Sequence, residues 1–129
     1  MGMTEVQEWL VTHRPAMARH GLGIVLVLVG LHKAVNPGIW ASYVAPQFYG
    51  LGLDWTMLMQ YSSVVEAGIG LGLMSGWYRR LFSLLAIASI LVVVLNLVIA
   101  GSFVDLIIRD VGLLMLSLIV LADAFDERQ

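Results

Sequence analysis

Residues 81–100 run for twenty positions without a charged side chain, and Asn96 is the one amide among them. A helix of that length rises about 30 Å, the thickness of a bilayer's hydrocarbon core. Three further stretches, about 15–35, 55–76 and 104–125, have the same length and nearly the same apolar character. Across the 129 residues, 60% are hydrophobic and 12% charged. A soluble domain has about 45–50% and about 25%. The expected fold is all-α and membrane-embedded: one domain, an antiparallel four-transmembrane-helix bundle. No room is left for a separate soluble catalytic module, so the chain is not expected to catalyse a reaction alone.

The connections 77–80 and 101–103 are short enough to force antiparallel neighbours. Val6, Trp9 and Leu10 fall at helical spacing, and Glu5 and Glu8 lie off that stripe where a signal peptide would be positive. This predicts a short N-terminal interfacial helix rather than a cleaved signal. Pro37 ends the first span. The segment 36–54 carries Trp40, Tyr43, Phe48 and Tyr49, with Trp55 at its edge, which predicts an aromatic outer loop at headgroup level. Arg14, Arg19, Arg79, Arg80 and Arg128 gather on one side of a four-span chain, against Lys33 and Arg109 on the other. The positive-inside rule then puts both termini in the cytoplasm of a cell inner membrane.

Several functions are excluded. With a net charge of −2 and no basic block, the chain has no electrostatic footprint for nucleic acid. With no cysteine there is no thiol relay, iron–sulfur cluster or thiolate zinc site. His13, His20 and His32 lack the spacing of paired ligands, so no metal site is expected. No residue set suits a covalent cofactor, a flavin, a haem or a nicotinamide.

The chemistry rests on the polar groups inside the spans: Lys33, Glu66, Asn96, Arg109 and Asp110. A charge at the bilayer centre costs at least about 2.5–3.5 kcal/mol, so these groups should face the interior and pair. Glu66 is the deepest. Side chains lean toward their helix's N-terminus. In the expected topology Glu66 therefore leans outward and Lys33 inward, with Arg109 between them in depth. A polar pocket in the outer half of the bundle follows. Glu66 paired with Arg109 or Lys33 reads either as a structural ion pair or as a ligand or proton site, with Glu66 the candidate proton acceptor. Gly68, Gly72 and Gly76, spaced by four, form a small-residue seam suited to a close helix neighbour.

Three stretches together resemble the DoxX family of small membrane proteins. GLHKAVNPGIWASYVAP (30–46) is similar to the Gly-x-x-Lys…Pro…Trp…Tyr-Val-x-Pro pattern after that family's first helix. VVEAGIGLGLMSGWYRR (64–80) resembles its second-helix Glu, glycines and following Arg, and LIIRDVGLLMLSLIVLAD (106–123) its last helix, opening on Arg-Asp. The resemblance covers most of residues 21–123. It implies a four-helix membrane protein whose relatives are associated with oxidoreductases: thiosulfate-to-quinone electron transfer, and complexes linked to thiol and oxidative-stress chemistry. By motif position it carries over Lys33, Glu66, Arg109 and Asp110. The implied role is a quinone-interacting or assembly subunit of a membrane oxidoreductase, with the lipid bilayer and either protein partners or further copies of the chain around it. The alternatives are a small proton-coupled transporter or permeability factor, and a purely structural anchor for a partner enzyme.

Overall fold

The computed structural model describes residues 2–101 and 103–126. Its described elements are all helical: α1 (Met3–Val35), α2 (Pro37–Ala41), a 3-10 segment (Pro46–Leu51), α3 (Trp55–Ser75), α4 (Arg79–Ala100) and α5 (Val104–Phe125). Arg128, counted above in the charge asymmetry, lies outside the described residues, as does Ser102 in the last connection. Two of the helices, Met3–Val35 and Arg79–Ala100, are long and apolar enough to cross a membrane. α3 and α5 have similar lengths but carry Glu66 and the Asp105, Arg109, Asp110, Asp123 set.

The helix ends follow local chemistry. The Asp54 carboxylate accepts from the Met57 amide at 3.2 Å and starts α3. Gly76 and Gly101 close α3 and α4 with left-handed backbones, and Pro37 opens α2 at a position where its missing amide has no helical partner to lose.

One expectation is corrected. The N-terminal stretch is not a separate short helix. It is the first third of α1, which continues through Pro15. A single proline removes one backbone hydrogen bond, and no glycine or turn-forming residue stands beside it to complete a break.

α1 packs most closely on α3 and α4 on α5, and α3–α4 and α1–α5 contacts join the two pairs. All four long helices feed one core: Leu22 and Leu26, Ile69 and Leu73, Ala86, Ile90 and Val94, and Val120. The small-residue seam differs from the expected one. A Cβ on Gly68 would meet nothing, and one on Gly72 would strike the Phe82 ring of α4. The close approach of α1 to α3 runs instead through Gly30 and Gly70. A Cβ on Gly70 would sit 2.5 Å from the Gly23 carbonyl oxygen, and one on Gly30 2.7 Å from that of Ser63.

Much of the surface is apolar. Val64, Val92 and Ile108 are 73, 66 and 69% exposed, among many other large apolar side chains. The buried set includes Lys33, Glu66, Asp110, Ser63, Ser83 and Ser117.

Candidate functional site

The glycine seam positions the ion pair. On α1, Lys33 lies one turn beyond Gly30, and on α3 Glu66 lies between Ser63 and Gly70 on the same stripe. Because the backbones nearly touch there, the two side chains span the remaining gap. Lys33 Nζ donates to Glu66 Oε1 at 2.5 Å, with both side chains under one-tenth exposed. The other carboxylate oxygen, Glu66 Oε2, is buried and has no hydrogen-bond partner among the described residues. An ammonium has three protons to donate, and the indole of Trp40 covers part of this one at 5.1 Å from the ring centroid. Trp40 is held in turn by donating its Nε1–H to His32 Nδ1 at 2.8 Å. That bond fixes the His32 tautomer with its proton on Nε2.

Among the described residues, Arg109 forms no ion pair with Glu66. Its Nε donates to the neighbouring Asp110 at 3.3 Å, with 58% of the Arg109 side chain exposed against 8% for Asp110. Both still line the cavity that Lys33 and Glu66 face. This space, about 620 Å³, is bounded by His32, Lys33, Trp40, Glu66, Arg109 and Asp110 at its polar end and by Val25, Leu28, Val29 and Leu113 along its sides. Ser89 of α4 also borders it. Two cations and two carboxylates make the polar end neutral in sum.

A second cavity of about 530 Å³ adjoins it, sharing Lys33, Trp40, Val93, Arg109 and Asp110. Its other walls include Tyr43, Phe48, Trp55 and Met59. The indole nitrogen of Trp55 is a buried donor with no partner among the described residues.

Asn96 borders this second space, but its amide is committed to structure. Its Nδ2 donates to the Tyr43 carbonyl at 2.8 Å, and its Oδ1 accepts from the Ala45 amide at 2.9 Å. Gln47 adds a bond to the Ile99 carbonyl at 3.1 Å. These contacts fold the loop back onto the end of α4 and bury Val44 and Ala45. Trp40, Tyr43 and Phe103 then stack edge to face, at 5.8 and 5.1 Å between successive centroids. The loop aromatics therefore wall the cavities as well as facing outward.

The structure thus joins Lys33 to Glu66, seats Arg109 and Asp110 at the same polar end, and assigns Asn96 to the loop. Sequence reasoning did not single out Trp40, His32 or Trp55 as site residues. A Trp one turn into a Pro-initiated helix after Lys33 was the available signal for Trp40. Compared with family models, with curated proteins and with solved structures, the chain gives no significant match.

Proposed function

We propose that this chain is a four-span, DoxX-like membrane subunit whose outer pocket receives a quinone headgroup. The membrane placement is supported by the apolar exterior surrounding buried charge, and by two helices that meet the length and hydropathy of a span. In it, α3 and α5 cross as well, burying their charges against α1 and α4, and both termini are cytoplasmic. The family likeness rests on the three sequence stretches described above.

One observation carries the ligand reading: the half-satisfied carboxylate of Glu66 beside a partly satisfied ammonium, at the neutral end of a largely apolar cavity. Buried polar atoms without partners cost about 1–3 kcal/mol each, so such a group calls for an explanation. A turn of the carboxylate brings Oε2 to the cavity wall as an acceptor. Lys33 has protons left to donate. An uncharged head with a carbonyl or hydroxyl group and an apolar body matches that pair. The volume is within the range of small-molecule sites. A quinone, when bound, takes up two electrons and two protons on reduction. Lys33 would donate to one quinone oxygen and Glu66 would pass that oxygen its proton, while the second proton would reach the other oxygen from solvent. Trp40 keeps the ammonium in place. A partner protein delivers the electrons.

Quinones quench indole fluorescence, and Trp40 and Trp55 stand in the cavity walls. In mild detergent, a short-chain quinone should quench a saturable fraction of the emission. Lys33→Met should weaken that binding roughly tenfold, the worth of one hydrogen bond to a charged group. Saturable quenching of equal affinity in Lys33→Met, with the protein folded, rejects the pocket. The second reading, a structural anchor, is favoured by the short Lys33–Glu66 bond that ties α1 to α3. It predicts that quinone never quenches in a saturable way.

A further inference from the structure

A second polar cluster lies at the opposite end of the bundle, with Arg19 fourteen residues before Lys33, about 21 Å along α1. A cavity of about 400 Å³ opens there between α1, the start of α4 and the end of α5. Its polar lining is Thr12, Arg19, Arg79 and Asp123, and its floor is Ala16, Val120 and Ala124. The guanidinium of Arg19 lies against Gly76 at the end of α3, 3.4 Å from where a Cβ would stand. Arg79 Nε donates to the Gly76 carbonyl at 3.3 Å. Both cations therefore gather at the negative end of the α3 dipole, close enough to repel each other.

Two atoms in this cluster are unaccounted for. Arg19 Nε, a donor, and Asp123 Oδ2, an acceptor, are both buried with no hydrogen-bond partner among the described residues. A simple anion satisfies the arginine and is repelled by the aspartate. A simple cation does the reverse. A ligand that carries an anion and an N–H donor a few bonds apart satisfies both. Val11 and Phe125, each one residue from the cavity lining, expose apolar surface suited to acyl chains.

We propose that this cavity binds a phosphoethanolamine headgroup, as part of a membrane lipid, with the phosphate on Arg19 and Arg79 and the primary ammonium on Asp123. The inference rests on the membrane placement proposed above and is independent of the quinone pocket. Basic pockets between spans on the cytoplasmic side are suited to lipid phosphates, and the carboxylate adds selection among headgroups.

The test is native mass spectrometry of the delipidated full-length chain in mild detergent, titrated with phosphatidylethanolamine or phosphatidylcholine of matched chains. The quaternary ammonium of the second lipid has no N–H to donate to Asp123. The expected result is roughly tenfold tighter retention of phosphatidylethanolamine, and equal retention of the two lipids in Asp123→Asn. Equal retention by the unaltered chain overturns the proposal without need of any variant, as does an undiminished preference in Asp123→Asn. Soluble phosphoethanolamine that displaces the lipid at comparable concentration overturns the lipid assignment. A chain that stays in the aqueous phase during detergent phase separation defeats the membrane placement itself. A chain that enters the detergent phase without headgroup preference defeats only this inference.

Discussion

Lys33 and Glu66 are each costly to bury alone, and each removes most of the other's cost. Breaking a buried pair from one side leaves a bare charge, at about 3–5 kcal/mol, whereas neutralising both sides together is far milder. Lys33→Met is therefore expected to lower unfolding stability in detergent by that amount. Adding Glu66→Gln to it should restore most of the loss. A double variant no more stable than Lys33→Met alone would show that the carboxylate is not the group left stranded. The same cycle separates stability from binding. The double variant should be folded and still bind short-chain quinone weakly, because the ammonium and the ionisable carboxyl are both gone.

The contact between α1 and α3 combines close backbone approach at Gly23, Gly30 and Gly70 with the apolar core. Gly70→Val places a branched side chain where the Gly23 carbonyl and Val27 already stand. Overpacking of this kind costs about 1–3 kcal/mol. It should also move α1 away from α3 and lengthen the Lys33–Glu66 bond, so that quinone quenching falls with stability. Gly68→Val meets no neighbour and should leave both unchanged. The loop after α2 is held on α4 by Asn96, with one further bond from Gln47. Asn96→Leu removes both amide bonds to Tyr43 and Ala45. Hydrogen exchange at the Ala45 amide, slow in the parent chain, should become fast, while exchange within α4 stays slow.

For the whole molecule, the proposed topology is open to a direct reading because the chain contains no cysteine. Single cysteines at Gln7→Cys and Gly50→Cys then report without background. In intact cells, a membrane-impermeant maleimide should label Gly50→Cys, since the loop position is open and exposed. Gln7→Cys should label only after the cells are permeabilised. Labelling of both from outside would break the four-span arrangement, and labelling of Gln7→Cys alone would invert it.

The helical class, the limits of the three later long helices and the presence of buried charge were all legible in the sequence. Run length, prolines, terminal glycines and the cost of charge in an apolar chain are local quantities. Counting rise per residue set Glu66 deeper than Lys33 with Arg109 between them, and left either cation as its partner; the direct Lys33–Glu66 bond was decided by how α1 and α3 pack. Rotation about each helix axis was not legible. Spacing by four says that Gly68, Gly72 and Gly76 share a face, but not that α1 would approach at Gly70. Nor does it say that Arg109 would turn to Asp110 while Lys33 took Glu66. The folding of Trp40 over Lys33 was likewise set by packing. The loop that carries Trp40 is anchored by Asn96, more than fifty residues away in sequence. Contacts at that separation depend on how whole helices settle against each other, which no local pattern encodes.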